Sequence, residues 1–149
     1  MKDPFLKPVI LGALLTALLS LIFALGIILW AIIGGYVAVR LAYKTTKEVI
    51  TLTDGLLLGL FSGIISATCL DMLTVLSFSS HDNQNMLIRT MEKNWPKDIQ
   101  TPDFHSMLPS IFFTTCAIIF LVTVLSSVIG SYIGIILSKK KGNEVKSGN

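Results

Sequence analysis

Between Val9 and Ala42 the chain carries a single charged residue, Arg40, and a run of that kind makes lipid the expected solvent. As one straight helix these 34 residues would rise ~51 Å, well beyond a hydrocarbon core of ~30 Å. Gly26 sits near the middle. The run therefore divides into a hairpin, Val9–Leu25 and Ile27–Tyr43. Each arm is at the short end for a span, roughly 17 residues. The competing reading is one long tilted helix, which would give three spans in all. Gly55–Leu76 and Pro109–Leu137 are the two further apolar runs.

The basic residues arbitrate between the two counts. With four spans, Lys2 and Lys7, then Arg40, Lys44 and Lys47, then Lys139, Lys140, Lys141 and Lys146 all fall on one side. The long segment Ser77–Leu108 keeps only Arg89, Lys93 and Lys97, against Asp82, Glu92, Asp98 and Asp103. Basic residues are retained on the cytoplasmic side, so both termini and the short loop are expected there and the long loop outside. Three spans would split the basic groups. The start, Lys2 and Lys7 before an apolar run, also suggests a signal peptide. Apolar character continues past Leu25 and the small-residue pattern at Ala24–Gly26 is weak, so a retained first span is expected.

The composition agrees: 52% of residues are hydrophobic and 14% charged, too little charge for the surface of a soluble domain this small. The net charge of +3 belongs to cytoplasmic loops and gives no reason to expect nucleic acid as a partner. One compact unit covers residues 1–149. The fold class is an all-α membrane protein: a four-helix transmembrane bundle with a short amphipathic outer-loop helix, and a polar cytoplasmic tail over 138–149.

Within the outer loop, Leu87, Met91 and Trp95 recur at helical spacing with Ile88 beside them, while Arg89, Glu92 and Lys93 take the other side. This predicts a helix over Asn85–Trp95, ended by Pro96. It either lies in the interface with Trp95 at headgroup depth or packs on the bundle as an ordinary loop helix. Thr101-Pro102-Asp103 reads as the start of another turn leading to the fourth span, bent near Pro109. Thr53 or Asp54 is the expected cap of the third span.

Every span carries small or hydroxyl residues four apart: Gly12, Thr16, Ser20 and Ala24; Ala31, Gly35, Ala38 and Ala42; Gly55, Gly59, Gly63 and Ala67; Ser126, Gly130, Gly134 and Ser138. Such stripes let backbones approach closely. Gly55, Gly59, Gly63, Gly130 and Gly134 are the candidate helix-packing residues. Packing inside one protomer is the first expectation, and a surface for a homo-oligomer or a larger membrane complex the second.

Candidates for chemistry are few. Asp71 is the one acidic residue well inside a span and the candidate polar site. A charge in hydrocarbon is costly, so it should face a partner, a cavity or water. A hydrogen bond to Ser or Thr is the first expectation, with Thr114 and Thr115 at comparable depth; a proton or cation site is the second. Cys69 and Cys116 also come at comparable depth, but form no disulfide framework and no metal spacing. His81, Asp82, Asp103 and His105 flank the loop without matching a metal motif. No hydrolase, P-loop, zincin or dinucleotide fingerprint occurs. No catalytic, metal or cofactor site is therefore expected.

Tyr43-Lys44 closing the second span, the polar Glu48–Asp54 loop, Gly55/Gly59/Gly63, the outer loop Ser77–Leu108 and the run Lys139–Lys141 form a pattern over nearly the whole chain. It resembles a group of small bacterial four-span membrane proteins known only as domains of unknown function. The resemblance implies a bacterial inner membrane and no particular activity. The functional expectation is a non-enzymatic interaction or accessory subunit, packed in the lipid bilayer as a homo-oligomer or in a larger complex. The alternative is a small channel or transporter with Asp71 lining a polar path, and an integral membrane enzyme comes third.

Overall fold

The computed structural model describes the backbone of residues 5–22, 26–46 and 50–147, and side chains over 5–20, 26–46 and 50–138. Among the described residues five helices are formed: α1 Leu6–Ile22, α2 Ile27–Thr46, α3 Leu52–Phe78, α4 His81–Asn94 and α5 Phe104–Ser147. No strand occurs among the described residues. Among the described residues three helices are long and apolar enough to cross a membrane: Ile27–Thr46, Leu52–Phe78 and Phe104–Ser138. The described residues are thus all-helical apart from turns and loops, with helices of the length and composition of membrane spans. α1 is apolar but shorter, 17 residues, a rise of about 26 Å.

α1 and α2 are separate helices packed back to back, so the run from Val9 to Ala42 is not one long helix. Thr16 Oγ1 donates to Trp30 O at 3.3 Å, and Gly12 lies against Gly34 and Ala38. Higher numbers on α2 meet lower numbers on α1, which makes the pair antiparallel. The expected arm end at Ala24 and Leu25 lies outside the described residues.

The same register logic orders the rest. Gly55 meets Ile135, Gly59 meets Ser131 and Gly63 meets Val124, so α3 and α5 are antiparallel. Ser66 Oγ donates to Ala13 O at 3.2 Å, and Gly12 meets Ser62, so α1 and α3 are parallel. Ile32 meets Gly130 and Val39 meets Gly134, so α2 and α5 are parallel. Helices α1, α2, α3 and α5 therefore alternate in direction. The start of α1, the end of α2, the start of α3 and the end of α5 share one end of the bundle. Val9, Val39, Ala42, Ile50, Leu58 and Ile135 form an apolar cluster there. Lys7, Arg40 and Lys44 lie on the turns around it, and the backbone of 139–141 continues α5 at the same end. Lys2 and Lys47 lie outside the described residues.

Two helix caps differ from expectation, and α4 begins at His81, a turn before the expected Asn85. Thr51, not Thr53 or Asp54, caps α3: its hydroxyl accepts from the Asp54 N–H at 3.2 Å and donates to Asp54 Oδ2 at 2.6 Å. The reciprocal pair satisfies a free backbone donor and orients the carboxylate together. At α5, Asp103 rather than Thr101 makes the first contacts. Its Oδ1 accepts from His105 N–H at 3.1 Å and its carbonyl from the Ser106 hydroxyl at 2.8 Å. α5 accordingly begins at Phe104 and runs through Pro109, which leads the apolar segment in one turn earlier than expected.

At the opposite end α4 packs on the bundle. Ile88, 4% exposed, sits with Phe104 and Leu108, and Phe78, Leu87, Met91 and Trp95 close around them. Trp95 meets Phe104 edge to face at 5.6 Å. Asn83 Nδ2 donates to Ser77 O and Gln84 Nε2 to Phe78 O, both at 2.7 Å. The first turn of α4 thereby satisfies carbonyls that the end of α3 leaves without intrahelical partners.

Candidate functional site

Beyond the aliphatic cluster at the basic end, the interior of the bundle is built largely from small residues and hydroxyls. The buried side chains facing inward include Thr16, Ser62, Ser66, Thr123, Ser127 and Ser131, while Leu14, Leu18, Phe113, Leu121 and Leu125 are more than half exposed. Inverted polarity of this kind suits a chain surrounded by lipid, where large apolar groups gain nothing by turning inward.

The predicted glycines all lie inside this one chain. A β-carbon at Gly35 would collide with the carbonyl oxygen of Ser127, and one at Gly130 with the carbonyl oxygen of Ile32. At Gly63 it would stand 2.9 Å from Val124 Cα, and at Gly12 2.7 Å from Gly34 O. At Gly59 it would meet the Ser131 hydroxyl, and at Gly55 the flexible end of Ile135. Gly134 is the most relaxed, 3.1 Å from Val39 Cβ. Backbones therefore touch across α1–α2, α2–α5 and α3–α5. The Gly55–Gly63 stripe serves α5, whereas Gly130 and Gly134 serve α2.

Hydroxyls fill the remaining positions. Ser127 Oγ donates to Gly59 O at 2.9 Å. Ser66 Oγ donates to Ser62 O at 2.8 Å as well as to Ala13 O. Thr16 Oγ1 donates to Gly12 O at 3.0 Å, in its own helix. By contrast the buried oxygens of Ser20, Ser62 and Thr123 have no hydrogen-bond partner.

Asp71 joins that second set. It continues the spacing of four that runs through Gly63 and Ala67 of α3, and its side chain is half-buried. It lies close enough to Cys116 for the two to interact electrostatically. Its Oδ1 is buried and has no hydrogen-bond partner. The expected bond to a threonine of α5 is not made: Thr115 Oγ1 donates instead to Ile111 O at 2.8 Å, and Thr114 is exposed. A threonine hydroxyl in a helix finds an acceptor one turn back and needs no other.

The remaining candidates do not converge. Cys69 and Cys116 are free thiols, and Cys69 is exposed. His81 and Asp82 open α4 while Asp103 and His105 open α5. Among the described residues no group of three or more His, Cys, Asp or Glu could hold a metal ion.

Reading one stripe per helix missed Ser62 and Ser66 on α3, and Thr123, Ser127 and Ser131 on α5. The signal is present in the sequence: each set repeats at a spacing of four, one position beside the glycine stripe. Comparisons with protein-family models, curated proteins and solved structures find no match.

Proposed function

We propose that the protein is a non-enzymatic interaction or accessory subunit of the bacterial inner membrane, acting as a closed helical bundle rather than as a conduit. The observation that carries this reading is the contact of backbone on backbone at Gly35–Ser127 and Gly130–Ile32. Helices that meet at that distance leave no aqueous route between them through this half of the bundle. The alternating direction of α1, α2, α3 and α5 supports four crossings, and the gathering of Lys7, Arg40 and Lys44 at one end supports a cytoplasmic location for both termini. The resemblance to small bacterial four-span proteins points to the same membrane.

Because the glycine stripes are consumed within the chain, a partner has to be met through the aliphatic outer face or through α4. A larger membrane complex fits this better than a glycine-mediated homo-oligomer. Affinity purification in mild detergent, followed by mass determination of the intact complex, tests it. A second polypeptide in fixed ratio is the expected result, and a bare monomer the contrary one.

A second reading has its own observation. The unpartnered oxygens of Ser62, Thr123, Ser20 and Asp71 favour a small channel or transporter in which Asp71 lines a polar path. Ion flux in liposomes separates the two readings.

A further inference from the structure

A lateral groove of about 340 Å³ lies between α1 and α3 at the basic end of the bundle. Phe5 and Val9 of α1 and Leu57, Phe61 and Ile65 of α3 line it, together with Asp54. The volume falls in the range of small-ligand sites. From Asp54 to Ile65, α3 rises about 17 Å, close to half of a hydrocarbon core of ~30 Å. The groove thus has the reach of one leaflet. It is apolar along its length and carries a carboxylate at the end where the helices begin.

We propose that this groove binds one phospholipid with a primary-ammonium headgroup, of the phosphatidylethanolamine class. One acyl chain lies against Leu57, Phe61 and Ile65, and the ammonium meets the Asp54 carboxylate. The Thr51 hydroxyl holds Asp54 Oδ2 at 2.6 Å, which fixes the carboxylate in place. No ion pair to Asp54 is formed among the described residues, so its charge is open to a cation from the lipid. Lys7, exposed in the α1 turn that supplies Leu6 and Val9, is a cation of that turn that can serve the lipid phosphate. An anionic headgroup lacking an ammonium would leave the Asp54 carboxylate without a cation from the lipid. The site rests on the reading that this end lies at a membrane interface.

Native mass spectrometry of the full chain from nanodiscs tests the site. The probes are phosphatidylethanolamine, phosphatidylcholine and phosphatidylglycerol with identical acyl chains. Phosphatidylcholine keeps the positive charge but cannot donate a hydrogen bond. The wild type should retain phosphatidylethanolamine over phosphatidylcholine by about tenfold or more, the size of one charge-assisted hydrogen bond. Asp54→Asn should erase that preference and Asp54→Glu should restore most of it. Leu57→Trp, which fills the groove, should abolish retention of any lipid there while the circular dichroism melt stays unchanged. A wild type without headgroup preference, or a preference that survives Asp54→Asn, overturns the site. Preferential retention of phosphatidylglycerol also overturns it, and assigns lipid binding to the basic side chains instead. Failure of the chain to enter nanodiscs would overturn the membrane reading and the site together, an outcome distinct from entry without preference.

Discussion

Ser127 and Gly59 meet across the α3–α5 interface, the serine hydroxyl donating to the glycine carbonyl at 2.9 Å with both residues buried. The same Ser127 offers its own carbonyl oxygen to the surface where Gly35 of α2 leaves no room for a side chain. One residue of α5 therefore sets the spacing of two helices.

The glycine positions should consequently rank by what they touch. Gly35→Ala forces backbone apart and should cost about 1–3 kcal/mol, while Gly134→Ala, facing the side chain of Val39, should cost distinctly less. Gly59→Leu should prevent assembly of the bundle. Ser127→Ala should cost about 0.5–1.5 kcal/mol, because the Gly59 carbonyl keeps its intrahelical partner. Leu125→Ala, on the exposed face, should change stability by no more than about 0.5 kcal/mol. Thermal unfolding in one detergent, read by circular dichroism, compares all five.

Asp71 should tolerate loss of its charge. Its buried Oδ1 has no protein donor to leave unpaired, so Asp71→Leu should be neutral or raise stability, by up to about 1–3 kcal/mol. Asp71→Asn should be close to silent. Melting temperatures of the three proteins decide this, and a marked drop in the leucine variant would reveal a partner that only the folded protein in lipid supplies.

The packing of α4 should be separable from the bundle. Ile88→Ala removes the centre of the cluster with Phe104 and Leu108 and should cost about 2–4 kcal/mol locally. Hydrogen exchange should show faster exchange of the α4 amides, with those around Gly35 and Gly59 unchanged.

Sidedness should follow the shared end of the bundle. Reporter fusions at the N-terminus, after Lys44 and at the C-terminus should all report the cytoplasm, and a fusion in Asp98–Asp103 the opposite side. Termini on opposite sides would restore three crossings.

Much of this architecture was legible in the sequence because lipid leaves few ways to arrange long apolar runs and asymmetric charge. The hairpin at Gly26 and the Leu87, Ile88, Met91 and Trp95 face were readable from run length and from helical period. The hydroxyl core was not. A serine or threonine in a helix bonds its own i−4 carbonyl, as exposed Thr68 and Thr115 do at 2.8 Å, so the residue type is equally stable on the lipid face and in the core. Caps were misread for a local reason. Thr51, Thr53 and Asp54 are all competent, and the choice falls to the pair three residues apart that can bond reciprocally. The empty hydrogen-bonding position of Asp71 depends on side-chain directions across two helices, which spacing along one chain does not encode.

Whether the bundle is sealed is most directly read as ion and proton flux through liposomes containing the purified chain. Flux should equal that of empty liposomes, for the wild type and for Asp71→Asn alike. A wild-type flux abolished by Asp71→Asn, with the fold intact, would contradict the sealed bundle and make the protein a transporter.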